Sequence, residues 1–109
     1  TVLEGIIVDS PGALSPYGIR VGSAAPDTTI KDCHFNGLSS DSEIEVLSSN
    51  FTFVNNTVTN ITADRHIAFE IHSESCTIAD NRFIDVAATT CVLYIRAECT
   101  NATVVDNLF

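Results

Sequence analysis

Read from its threonines, the chain repeats one short phrase five times: TVLEGII from Thr1, TIKDCHF from Thr29, TFVNNTV from Thr52, TIADNRF from Thr77 and TVVDNLF from Thr103. Apolar residues hold the second and seventh places, and acidic or amide residues cluster at the fourth and fifth. The copies lie 28, 23, 25 and 26 residues apart. A second set interleaves with them, YGIRVG, SEIEVL, IAFEIH and LYIRAE, in which Arg20, Glu45, Glu70 and Arg96 recur at steps of 25, 25 and 26. A unit of this length cannot bury its own apolar face, so it must stack on its neighbour.

Within each unit the alternation is short. Tyr17, Ile19 and Val21 point one way while Gly18 and Arg20 point the other. Such runs of about five residues, rich in Ile, Val, Phe and Thr and bounded by Ser, Asn, Asp, Gly or Pro, read as strands. No segment reads as a helix. The chain is expected to be all-β, a single solenoid domain over residues 1–109 in which parallel strands stack coil on coil, about four coils deep.

Stacking sets like positions over one another at about 4.8 Å. The second place then forms an interior column of Val2, Ile30, Phe53, Ile78 and Val104, and the seventh another of Ile7, Phe35, Val58, Phe83 and Phe109. The fifth place holds Gly5, Cys33, Asn56, Asn81 and Asn107. Asn56, Asn81 and Asn107 are therefore expected to form an amide ladder at a turn, each side chain both donating and accepting.

Charge and composition narrow the partners. The net charge of −9 and only five Lys and Arg argue against nucleic acid and anionic membranes. No apolar run approaches the ~18 residues of a membrane span. Four Asn-x-Ser/Thr sequons occur, at Asn50, Asn55, Asn60 and Asn101, the first three at five-residue steps. They predict N-linked glycans and a secreted, extracellular chain, against the alternative that Asn and Thr are merely preferred turn and strand residues. The four cysteines lack the paired spacing of a zinc site. Cys76 and Cys99 fall in the same turn region of adjacent coils, a candidate disulfide across one rung, whereas Cys33 and Cys91 read as buried thiols or as links to another subunit.

The TIADNRF type of motif with its Asn ladder, running over nearly all of the chain, resembles the right-handed parallel β-helix superfamily of pectate lyases, polygalacturonases, alginate epimerases and bacteriophage tailspikes. The resemblance implies a right-handed parallel β-helix. The N-terminal capping helix of that superfamily has no counterpart here. It also implies that any substrate would lie on the outward face of one long parallel sheet. The repeat spacing assigns that face three columns: Gly18, Glu43, Ala68 and Tyr94; Arg20, Glu45, Glu70 and Arg96; Gly22, Leu47, His72 and Glu98. Glu43, Glu45 and Glu70, with His72, form the strongest constellation for a cation or sugar site, Ca2+ being the cation such oxygens suit. The competing reading is a salt-bridge ladder in which the arginines neutralise both glutamates. The superfamily's lyase and hydrolase patterns do not map onto these positions, so no catalytic residue is assigned and no cofactor is implied. His34 and His66 read as surface residues.

The repeat opens on Thr1 and closes on Phe109, so the expectation is an uncapped unit or an excerpt of a longer β-helix. The leading functional expectation is a glycosylated structural subunit that assembles head to tail into an extracellular fibre or spike. The alternative is part of a carbohydrate-active lyase, hydrolase or tailspike that binds acidic polysaccharide on the Glu45 and Glu70 face.

Overall fold

The computed structural model describes the backbone of residues 1–9, 17–37, 39–71, 74–88, 91–95 and 99–109, and the side chains of residues 1–7, 20–37, 45–60, 71, 74–86, 93–95 and 99–109. Among them run twelve strands: β1 (Val2–Glu4), β2 (Ile7–Asp9), β3 (Tyr17–Val21), β4 (Thr29–Lys31), β5 (His34–Asn36), β6 (Ser39–Val46), β7 (Phe51–Val54), β8 (Thr57–Ile71), β9 (Ser75–Ala79), β10 (Arg82–Ala88), β11 (Cys91–Ile95) and β12 (Asn101–Val105). The described residues contain no helix, and every strand pairing is parallel. The fold is an all-β, right-handed parallel β-helix.

One sheet stacks β1, β4, β7, β9 and β12 in that order. The other joins two further faces of the coil. On the second face β2, β5, the start of β8 and the start of β10 pair side by side; on the third face β3, β6, the end of β8 and β11 do. β8 is 15 residues long because it passes from the second face to the third, with the register of β6 against it shifting between Ser40 and Ser42.

The corners follow a simple rule. Among the described residues, eight non-glycine and two glycine residues have positive φ and fall into three columns: Gly5, Asp32, Asn55, Asp80 and Asp106; Gly37, Asn60 and Asp85; Asp27 and Asn50. Successive backbone N–H donors confirm the stacking, as in Asp32 N to Val54 O, Asn55 N to Ala79 O and Asp80 N to Val105 O. A left-handed corner disfavours side chains other than Gly, Asn and Asp, and those three types fill all ten positions. The sequon asparagines Asn50, Asn55 and Asn60 are thus the three corners of one coil, which explains their five-residue spacing.

Two registers differ from the expected ones. In the first copy Val2 lies opposite Thr29 and Leu3 opposite Ile30, a step of 27 rather than 28, while Ile7 lies opposite His34 and is 74% exposed. Leu3, not Val2, heads the second-place column, and Val8, not Ile7, stands opposite Phe35. The reason is Gly5, which takes the left-handed corner at φ +66° and so belongs with Asp32 and Asn55 rather than with the ladder asparagines. On the third face Tyr94, not Arg96, lies opposite Glu70, a step of 24. Steps of 24 and 26 both preserve the in-and-out alternation. The shorter one sets Leu93 on Phe69 and Ile95 on Ile71, so Leu93 and Ile95 pack against the core.

The interior columns otherwise form as expected. Ile30, Phe53 and Ile78 are buried, as are Phe35, Val58 and Phe83. Phe53 stacks on Phe35 at 6.1 Å and on Phe51 at 6.2 Å between ring centroids, and Phe83 stacks on Phe109 at 5.0 Å.

The amide ladder is continuous. Each Oδ1 accepts a backbone N–H from the coil before it: Cys33 to Asn56 at 2.9 Å, Asn56 to Asn81 at 2.9 Å and Asn81 to Asn107 at 3.0 Å. Each Nδ2 donates to a second-place carbonyl of that same preceding coil, Ile30, Phe53 and Ile78 in turn, at 2.8–3.0 Å. Asn56 and Asn81 also donate onward to the next Oδ1, at 3.1 and 2.9 Å. Cys33 occupies the same column, and its thiol lies 3.6 Å from Leu3 O, the carbonyl an asparagine there would take, and 3.1 Å from Lys31 O. Cys33→Asn is therefore expected to extend the ladder by one rung and to raise stability by about 1 kcal/mol, in line with a net hydrogen bond. Urea denaturation measures it, and a loss of stability of that size would refute the equivalence.

Candidate functional site

On the third face the registers place Arg20 opposite Glu45, Glu45 opposite Glu70 and Glu70 opposite Tyr94. The expected stacking of Glu45 on Glu70 is therefore met at the backbone. Arg20 Nε lies 3.0 Å from Glu45 Oε2, with Glu45 buried and Arg20 half exposed. A guanidinium so close holds the carboxylate as an ion pair, which favours the ladder reading of this face over an open ligand. Tyr94 is exposed at the far end of the same column. The side chains of Glu43, His66, Glu70, His72, Cys91 and Arg96 lie outside the described residues. Among the described residues no three His, Cys, Asp or Glu side chains converge as metal ligands.

A second polar group, which repeat spacing does not pick out, spans the second face and its corner. His34 Nε2 lies 2.9 Å from Thr59 Oγ1, Thr59 Oγ1 donates to Asn36 Oδ1 at 2.9 Å, and Asn60 Nδ2 donates to the same oxygen at 2.8 Å. Because the threonine proton goes to Asn36, Nε2 must carry the imidazole proton and donate. The hydroxyl is thus fed a hydrogen bond rather than deprotonated, the reverse of an activated nucleophile. The cluster positions the Asn60 corner. His34 and Thr59 stand diagonally across the strands, since His34 is in register with Thr57 and Asn36 with Thr59, and sequence periodicity alone carries no sign of such a diagonal.

The other corners pair similarly, Asn50 Nδ2 to Asp27 Oδ1 at 2.7 Å and Asn55 Nδ2 to Asp32 Oδ1 at 2.6 Å. Asn50, Asn55, Asn60 and Asn101 are all exposed. Cys76 and Cys99 are brought together, with their sulfurs 3.1 Å apart, and Cys33 is buried as expected.

Parallel strands on three faces, left-handed corners in columns and an asparagine ladder between coils define a β-solenoid of the parallel β-helix class. The chain belongs to the family described as right handed beta helix region, whose family model matches residues 4–109. No curated protein and no solved structure matches the chain.

Proposed function

We propose that this protein is a structural subunit of an extracellular, N-glycosylated β-solenoid fibre or spike, extended head to tail by stacking coil on coil. One feature carries the proposal. Phe53 and Ile78 are 0% exposed in columns that run from coil to coil, and Asn56 and Asn81 pass hydrogen bonds along the same axis. A position in these columns is buried only when another coil lies on it. Each coil thus offers its neighbour the same apolar and amide surface, so the stack lengthens by adding coils.

The corners fit the same role. Glycans on Asn50, Asn55 and Asn60 would project sideways from one coil and leave the stacking axis clear. Acidic corners and a net charge of −9 oppose lateral association of rods. The pairing of Arg20 with the buried Glu45 weighs against the alternative in which this face binds an acidic polysaccharide.

Electron microscopy of the purified native protein, with intact mass before and after enzymatic removal of N-linked glycans, tests the reading. Unbranched fibres one β-helix wide, and a mass above that of the polypeptide that falls on deglycosylation, are expected. Discrete particles at the bare polypeptide mass would overturn it and turn attention to polysaccharide binding at Glu45.

A further inference from the structure

We propose that Cys76 and Cys99 form a redox staple, in which a disulfide formed by exchange with a small-molecule disulfide locks the β12 coil onto the β9 coil. Cys76 lies in β9, opposite Phe51 on one side and Ala102 of β12 on the other, and its side chain is part of the core. Cys99 stands two residues ahead of β12 and packs against that core while remaining partly exposed. Its segment is pinned beside Glu74, whose carbonyl accepts from Thr100 N at 3.1 Å and Asn101 N at 3.3 Å. The two sulfurs are 23 residues apart in sequence and 3.1 Å apart in space, closer than thiols in plain van der Waals contact. Closing to the bond length of about 2.05 Å needs side-chain movement of only about 1 Å.

The unequal surroundings set the order of events. Burial first, then the hydrogen bond and charge of its neighbour Cys99, push the Cys76 thiol from 9.0 up to about 12, so it keeps its proton. Cys99, the more exposed sulfur, attacks an oxidant such as glutathione disulfide as the thiolate. That step forms a mixed disulfide on Cys99 and releases one glutathione thiolate, which takes up the proton Cys99 gave to solvent. Cys76 sulfur then attacks Cys99 Sγ, its proton passing to the second departing glutathione. Two protein thiols are oxidised, one glutathione disulfide is reduced to two glutathione thiols, and two hydrogens leave the protein.

The bond would close a loop containing one whole coil. It would tie β12 covalently to the coil before it, so that their separation is opposed by the bond as well as by packing. Cys33 is a built-in control, because its thiol faces backbone carbonyls rather than another cysteine.

The test equilibrates the purified native protein across glutathione disulfide to glutathione ratios, traps free thiols by alkylation after unfolding, and maps peptides without reduction. Cys76 and Cys99 are expected to lose alkylation together, with loss of two hydrogens and a single 76–99 cross-link, while Cys33 stays alkylatable. Oxidation should raise Tm on the order of 10 °C and slow amide exchange in β12 but not in β4. Cys99→Ser should abolish both gains, and Cys76→Ala should do the same. Free alkylation of both thiols at every ratio, a mixed disulfide persisting on Cys99, or a cross-link to Cys33 in place of Cys76 would each overturn the proposal.

Discussion

Asn81→Leu is expected to destabilise the fold by about 4 kcal/mol or more, the largest effect of any single ladder substitution. Asn81 lies at the centre of the ladder and is 1% exposed. Its Oδ1 accepts from Asn56 N and Asn56 Nδ2, and its Nδ2 donates to Phe53 O and Asn107 Oδ1. Leucine has the same branched skeleton of four side-chain heavy atoms, so the change leaves no cavity; it strands two donors of Asn56 and the carbonyl of Phe53 away from water. Each stranded buried group costs about 1–3 kcal/mol. Asn107 makes fewer bonds at a partly buried position, so Asn107→Leu is expected to cost less than half as much. Urea denaturation of the three proteins side by side measures this. Equal losses for the two variants would mean that packing, not hydrogen bonding, holds the column.

Phe53→Ala comes next, with an expected loss of about 3–5 kcal/mol, the usual cost of deleting a buried aromatic ring. Phe53 is fully buried and touches two other rings, Phe35 on the coil before it and Phe51 on its own strand. Its carbonyl accepts from Asn81 Nδ2, so a shift of β7 into the cavity would also strain the ladder. The two sites are therefore coupled. The double variant Phe53→Ala with Asn81→Leu is expected to cost less than the sum of the singles, because each loss partly removes what the other depends on. A strictly additive double variant would show that core and ladder act independently. In a solenoid, stability is the sum of coil and interface contributions, so either change should weaken the interfaces on both sides of the altered coil.

The redox staple and the ladder act on different parts of the same problem. The ladder ties interior turns together with neutral hydrogen bonds that do not depend on conditions. The Cys76 and Cys99 pair would add a conditional tie between the β9 and β12 coils. Cys33→Asn would strengthen the ladder at the β4 coil by the first route, which makes the two ties separately adjustable.

Much of this architecture was legible in the amino-acid sequence because a repeat that cannot bury its own apolar face has few ways to stack. The period pointed to a parallel solenoid. The columns of Ile30, Phe53 and Ile78 and of Phe35, Val58 and Phe83, the ladder of Asn56, Asn81 and Asn107, the meeting of Cys76 with Cys99 and the rung of Glu45 on Glu70 all follow from aligning like with like. What alignment could not decide was local register, since a turn can gain or lose residues while strands keep their alternation. The placement of Gly5 at a left-handed corner shifted the first copy by one residue, and burial of Leu93 and Ile95 put Tyr94 where Arg96 was expected. Backbone conformation, which letters do not show, revealed Asn50, Asn55 and Asn60 as the three corners of one coil. Contacts across the strands, from His34 to Thr59 and from Cys33 to Leu3, depend on side-chain reach between coils, and that distance is set only once the coils have stacked.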